Sequence, residues 1–170
     1  MKNIIITGGL GYIGTELCKI YSGVSWNHKI TVIDNRFISA RVNQLRNWNM
    51  NFVHGDILDK DLINKYCKDA DVVHHLAGIT DVPRVKSESN ESKDDKIILV
   101  AEKGTQNILD AISDKCKIIM PTSHVVYEGT DSVKMNIKED EETNPILAYS
   151  KSKAINEEQL KRSGKNYIIL

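Results

Sequence analysis

The sequence predicts an α/β fold: a parallel sheet, doubly wound, with helices on both faces. Three observations predict it. Short segments of strand length are apolar throughout, with no in-and-out alternation, as in Ile4-Ile5-Ile6 and Ile30-Thr31-Val32-Ile33. Strands of that kind are buried on both faces. Segments of helical spacing alternate with them along the whole chain, which is the βαβ rhythm of a parallel sheet. The first strand breaks into a glycine-rich turn, Thr7-Gly8-Gly9-Leu10-Gly11-Tyr12-Ile13-Gly14, and an amphipathic stretch follows from Tyr12 to Tyr21. Right-handed crossovers then give the doubly wound order.

The elements follow in order. Ile30 to Asp34 is a second strand, and Arg41 to Trp48 a short helix. Asn51-Phe52-Val53-His54 is a third strand, ending in Gly55-Asp56. Leu58 to Tyr66 reads as a helix with Asp59 as its cap. Asp71 to Leu76 is a fourth strand, closed by Ala77-Gly78. The polar stretch from Asp81 to Asp95 carries Pro83, serines and charges, and reads as a loop. Lys96 to Ser113 places Ile97, Ala101, Ile108, Leu109 and Ile112 at helical spacing. Lys117 to Met120 is a fifth strand. Asn144-Pro145 is expected to open a helix that runs to about Arg162, with Asn as cap and Pro at the first helical position. Tyr167 to Leu170 starts a sixth strand. No repeat, low-complexity tract or domain boundary interrupts residues 1–170, which read as one unit.

Composition narrows the function classes. The chain has 170 residues, 23 Lys plus Arg and 23 Asp plus Glu, hence a formal net charge of zero. That balance gives no electrostatic reason to expect nucleic acid or a membrane surface as partner. No apolar run approaches the length of a bilayer span, and the N-terminus is too short in apolar residues for a signal peptide. Cys18, Cys67 and Cys116 are far apart and odd in number, each in or beside an apolar segment. Buried free thiols in a reducing cytoplasm are expected. His74-His75 has no Cys or carboxylate at ligand spacing, so no metal site is expected.

Ligands of doubly wound sheets bind beyond the carboxyl ends of the strands. A strand that turns through glycines into a helix suits a pyrophosphate, because the backbone approaches closely and the helix start offers unpaired N–H groups. The spacing Gly9-x-Gly11-x-x-Gly14, with Asp34 twenty residues on, is the fingerprint of dinucleotide binding. A carboxylate at Asp34 accepts hydrogen bonds from adenosine ribose hydroxyls and repels a 2′-phosphate, which favours NAD over NADP. A plain turn at Asp34-Asn35 is the alternative, and Arg36 nearby leaves NADP open.

Tyr149 and Lys153 stand four apart and share a helix face. A tyrosine is a poor base at neutral pH, and a cation one turn away favours its phenolate. Ser123 follows the fifth strand, where its hydroxyl would meet a substrate oxygen. Together they make a proton relay for oxidising an alcohol: Ser123 orients the hydroxyl, Tyr149 takes the proton, and hydride leaves for the nicotinamide.

These residues resemble the first half of an extended short-chain dehydrogenase/reductase, of the NAD-dependent nucleotide-sugar epimerase/dehydratase type. Thr7 to Gly14 matches its cofactor fingerprint, and Asp34-Asn35 its adenosine-ribose pair. Gly55-Asp56-Ile57 resembles the stretch that holds adenine, and His75-Leu76-Ala77-Gly78 the one beneath the nicotinamide ribose. Gly104-Thr105-Gln106-Asn107 matches the helix behind the sheet; Thr122-Ser123 and the Tyr149/Lys153 pair match the catalytic residues. The resemblance implies a Rossmann sheet, NAD as cofactor and a sugar-nucleotide substrate. The implied cofactor contacts are Gly8, Gly11, Tyr12, Ile13, Gly14, Asp34, Asn35, Asp56, Ile57, Leu76, Ala77, Gly78, Tyr149 and Lys153. It also implies that Lys153 bonds the nicotinamide ribose, and that a sugar hydroxyl is oxidised transiently before hydride returns. A homodimer through the helices around Gly104 to Ala111 and Tyr149 to Arg162 is expected.

Several departures carry expectations of their own. Ala101 stands where the family has an asparagine that orders the active-site backbone, so a changed proton path is expected. Glu128 separates Tyr127 from Gly129, where the family has Tyr-Gly directly, so a different loop shape is expected. His124-Val125 follows Ser123 where dehydratases carry Asp-Glu, which favours an epimerase or reductase over a dehydratase. The family continues for about as many residues again. The fold is therefore expected to be truncated after about the sixth strand, with the substrate domain absent, an open sheet edge at Tyr167 to Leu170, and completion by the intact gene product or a second chain. A non-catalytic NAD-binding module is the alternative function.

Overall fold

Alternating burial along the first strand explains the layering. In the computed structural model, which describes residues 1–24, 28–80, 91–129 and 136–170, Ile4 and Ile6 of β1 (Lys2–Thr7) point into one core and Ile5 into another. Successive strand residues face opposite sides, so a strand apolar at every position needs a helical layer on each. One layer is α1 (Tyr12–Ser22) and α2 (Ser39–Asn47), whose Cys18, Val42 and Leu45 pack with Ile4, Ile6 and Val32. The opposite layer includes α3 (Lys60–Cys67), α5 (Thr105–Ala111) and α6 (Ala148–Arg162), whose Ile63, Ile108 and Leu160 pack with Ile5, Val73 and Ile118.

The remaining strands are β2 (His28–Asp34), β3 (Asn51–His54), β4 (Val72–His75), β5 (Lys117–Met120) and β6 (Asn166–Ile169). All pairings are parallel, in the order β3-β2-β1-β4-β5-β6. This is the doubly wound Rossmann sheet expected from the sequence. Its order reverses between β1 and β4, which opens a crevice at their carboxyl ends. There Gly8, His75 and the segment after Met120 lie side by side. β6 is an edge strand, and Tyr167 and Ile168 are 38% and 37% exposed. Cys18, Cys67 and Cys116 are free and buried. No helix among the described residues is long and apolar enough to cross a membrane.

Three expectations need correction. Helix begins at Glu91, ahead of the expected Lys96, as α4 (Glu91–Leu99). Residues 81–90 of the expected loop lie outside the described residues. The run to Ala111 is also interrupted by a wide π turn at Val100–Gly104. A π turn inserts an extra residue into the helical register, and here Val100, Ala101, Gly104 and Thr105 are all buried together. Asn144-Pro145 does not open α6, whose cap position is Leu147. Asn144 is spent on Gly129: its Nδ2 donates to Gly129 O at 2.6 Å, and its carbonyl accepts from Gly129 N at 2.9 Å. Asp59 does cap α3, accepting from Leu62 N at 3.0 Å.

Candidate active site

The glycine turn is shaped by contact with the next strand. Gly8 has φ +70°, and a Cβ there would stand 2.6 Å from Ala77 N. Its N–H donates to Ile33 O at 2.8 Å, and Gly11 N donates to Gly8 O at 2.9 Å, closing the turn. At Gly14, a Cβ would stand 2.5 Å from Gly9 Cα, so α1 can start this close to the turn only without a side chain. Thr7 O accepts from Leu76 N at 3.1 Å and Thr7 Oγ1 from Ala77 N at 3.4 Å, which sets Leu76, Ala77 and Gly78 beside the loop. Tyr12 and Ile13, at the helix start, are 82% and 59% exposed. The cradle is open, lined by backbone, and sits at a helix N-terminus, the surroundings a pyrophosphate needs.

Asp34 ends β2 with its carboxylate buried, 5% exposed. Oδ2 accepts from Leu10 N at 2.9 Å; Oδ1 accepts from Arg36 N at 3.0 Å and Arg36 Nε at 3.2 Å. Asn35 Nδ2 donates to Asp56 Oδ2 at 3.0 Å, and Asp56 Oδ1 accepts from Leu58 N at 2.9 Å. Ile57 is buried below them, its carbonyl accepting from Asn107 Nδ2 at 3.0 Å. The three acidic and amide side chains predicted for the adenosine end thus form one corner across β2 and the β3–α3 connection.

At the other end of the crevice, Ser123 precedes a 3₁₀ turn (His124–Tyr127) that packs on α6. Lys153 Nζ donates to Pro121 O at 3.1 Å and lies 5.7 Å from the ring centroid of Tyr149. Burial pushes the Lys153 ammonium below its ordinary value. The lysine thus touches the segment just after β5, two residues before Ser123, and lies near the Tyr149 ring. Beneath it, His75 is fully buried and neutral. Its Nδ1 lies 2.8 Å from Thr7 Oγ1 and its Nε2 2.9 Å from Thr105 Oγ1. Burial, with a smaller contribution from the Lys153 charge, lowers its pKa to about 3.

Residues 5–168 match the 3-beta hydroxysteroid dehydrogenase/isomerase family. The chain belongs to that family. Its relatives include UDP-glucose 4-epimerases and a dTDP-D-glucose 4,6-dehydratase. It is 33% identical over 132 residues to a UDP-N-acetyl-alpha-D-glucosaminuronate decarboxylase of Bacillus cytotoxicus, covering 76% of this chain and 39% of that protein. A UDP-glucose 4-epimerase from Brucella ovis, solved with NAD, superposes with a TM-score of 0.77 at 29% identity, over 99% of this chain and 51% of that one. A UDP-N-acetylglucosamine 4-epimerase from Methanobrevibacter ruminantium, solved with UDP-N-acetylmuramic acid, gives 0.81 at 28%, over 99% and 53%. The chain spans about half the length of these epimerases, and less of the decarboxylase.

Two residues of this family member went unread as parts of the site. The first is Glu128. Its Oε1 accepts from Ile146 N at 2.9 Å, Leu147 N at 2.6 Å and the Ser150 hydroxyl, so it caps α6 from another segment. The available signal was negative: Leu147 cannot cap with its own side chain, so an acceptor had to come from elsewhere. The second is Asn156. Where Ala101 offers no amide, Asn156 Nδ2 reaches Ala101 O and Thr105 Oγ1, both at 2.8 Å. Nothing in the spacing distinguishes it from an ordinary polar residue on α6.

Proposed function

We propose that these 170 residues are the NAD-binding and catalytic domain of an epimerase or reductase that acts on a hydroxyl of a sugar nucleotide. The observation that carries the reading is Lys153. It donates to Pro121 O, just beyond β5, and lies 5.7 Å from the centre of the Tyr149 ring, at the same sheet end as the glycine cradle. The cradle suits a pyrophosphate, and the Asp34/Asn35/Asp56 corner suits an adenosine.

Gly8, Gly11, Tyr12, Ile13 and Gly14 would hold the pyrophosphate through the loop backbone and helix start. Asp34 and Asn35 would take the ribose, Asp56 and Ile57 the adenine, and Leu76, Ala77 and Gly78 the floor under the nicotinamide. NAD, when bound, supplies the hydride acceptor. Ser123 would orient the sugar hydroxyl, and Tyr149 would accept its proton. Lys153 would hold the ribose and favour the phenolate electrostatically. His124-Val125 after Ser123 supports an epimerase or reductase over a dehydratase. Residues outside these 170 would grip the rest of the substrate. The buried thiols suit a reducing cytoplasm, since burial pushes Cys18 and Cys67 up to about 12. Pairing through α5 and α6 would make a homodimer.

The test combines NAD⁺ calorimetry with turnover of UDP-, GDP- and dTDP-sugars. Turnover lost in Tyr149→Phe with NAD⁺ binding retained supports the reading. Turnover that survives the substitution overturns it. Tight NAD⁺ binding without turnover in the wild type restricts the chain to a binding module.

A further inference from the structure

The face of α6 that carries Lys153 is wired to the start of the glycine cradle by four buried polar side chains. Asn156 lies one turn beyond Lys153, is 6% exposed, and donates from Nδ2 to Ala101 O and Thr105 Oγ1. A carbonyl only accepts, so the amide nitrogen must face Ala101. Thr105, fully buried, is 2.9 Å from His75 Nε2, and His75 Nδ1 is 2.8 Å from Thr7 Oγ1. Thr7 leads directly into Gly8.

We propose that Asn156 is a positioning residue that, through Thr105, fixes His75 as its Nδ1–H tautomer and so ties the Lys153 helix to Thr7 and the glycine cradle. The direction follows from donor counting. The Thr105 oxygen already accepts from Asn156, so its single hydrogen is available for Nε2 of His75. The imidazole then carries its hydrogen on Nδ1 and donates to Thr7. Thr7 Oγ1 also receives Ala77 N–H, but at 3.4 Å, so the Nδ1–H tautomer adds its donor to the less engaged oxygen, whereas the reverse tautomer adds one to a Thr105 oxygen that already accepts from Asn156 at 2.8 Å. The Ala101 carbonyl lies within the π turn, so the same amide also anchors that irregular turn to α6. The link to catalysis rests on the function proposed above; the wiring does not.

The test is nitrogen-15 NMR of the His75 ring in the 170-residue chain, with NAD⁺ calorimetry beside it. The wild type is expected to show Nδ1 protonated and Nε2 free. Thr105→Ser should keep that pattern, Thr105→Val should lose it, and Asn156→Ala should mix the tautomers and weaken NAD⁺ binding about tenfold. Nε2–H in the wild type would overturn the proposal, and that measurement requires no variant to fold. So would an Asn156→Ala chain that melts earlier but keeps both the wild-type tautomer and the wild-type NAD⁺ affinity. A wild type that binds no NAD⁺ sinks the proposed function, while the ring nitrogens still decide the wiring.

Discussion

Asp34 serves two parts of the site with one carboxylate. Oδ2 holds the buried Leu10 N–H of the glycine turn, and Oδ1 holds Arg36. Removing the side chain therefore does more than remove the proposed ribose contact. Asp34→Ala leaves the Leu10 N–H without its acceptor, at a cost of about 1–3 kcal/mol, and is expected to weaken NAD⁺ binding at least tenfold, about 1.4 kcal/mol. Asp34→Asn separates the two effects, because an amide oxygen can still accept from Leu10 while the negative charge is gone. Urea unfolding should show most of the stability restored in Asp34→Asn, and calorimetry should show the affinity still weakened. Equal NAD⁺ affinity in Asp34→Ala and wild type would refute the ribose role. The spacing from the glycine turn to Asp34 made the residue legible in the sequence. Its bond to Leu10 was not, because it depends on how tightly the turn folds back over β2.

The N-terminus of α6 shows the same division at the scale of an element. The helix itself was legible from its residues, but its start was misplaced because Asn144-Pro145 has the local chemistry of a cap. Long-range pairing of Asn144 with Gly129 overrides that preference, and the Glu128 carboxylate caps the helix instead. Burial alone would raise the pKa of Glu128. Hydrogen bonds from Leu147, Ser150 and Ile146, with the Lys151 charge, outweigh it and hold the carboxyl below its ordinary value. A folded pKa below the unfolded one means the contribution is full above the ordinary glutamate range and is lost as pH falls through the folded value. Glu128→Ala should cost about 1 kcal/mol at pH 7, the scale of a helix cap, and less at pH 3. Glu128→Gln should keep part of the cap and lose that pH dependence. Thermal melts of the three chains at both pH values check this. A Glu128→Ala deficit that is the same at both would contradict the charged cap.

At the scale of the molecule, the adjacent pair His74-His75 engages both helical layers. Successive strand residues point to opposite faces, so His74 meets α1 and His75 meets α5. His74 Nε2 lies 2.8 Å from Tyr21 OH, with the rings edge to face, and His75 binds Thr105. Burial lowers the pKa of both, that of His75 to about 3 from an ordinary value near 6.5. Below pH 6.5 the unfolded chain takes up protons that the native imidazoles resist, so the stability they permit is present above that value. It is lost progressively as pH falls, for His75 down to about 3. Each such histidine contributes a slope of about 1.4 kcal/mol per pH unit within its window. From the sequence the pair lay in the fourth strand, offered no metal site and, at His75, resembled the stretch beneath the nicotinamide ribose; the two-sided role required knowing which helix covers which face. Urea unfolding at pH 7, 6, 5 and 4 should therefore show stability falling steeply below 6. His75→Asn removes one titrating group while leaving an amide among the same hydroxyls, and should flatten that fall by about one proton's worth. A slope unchanged in His75→Asn would mean that acid lability arises elsewhere, and that the buried imidazole is not what couples the two layers to pH.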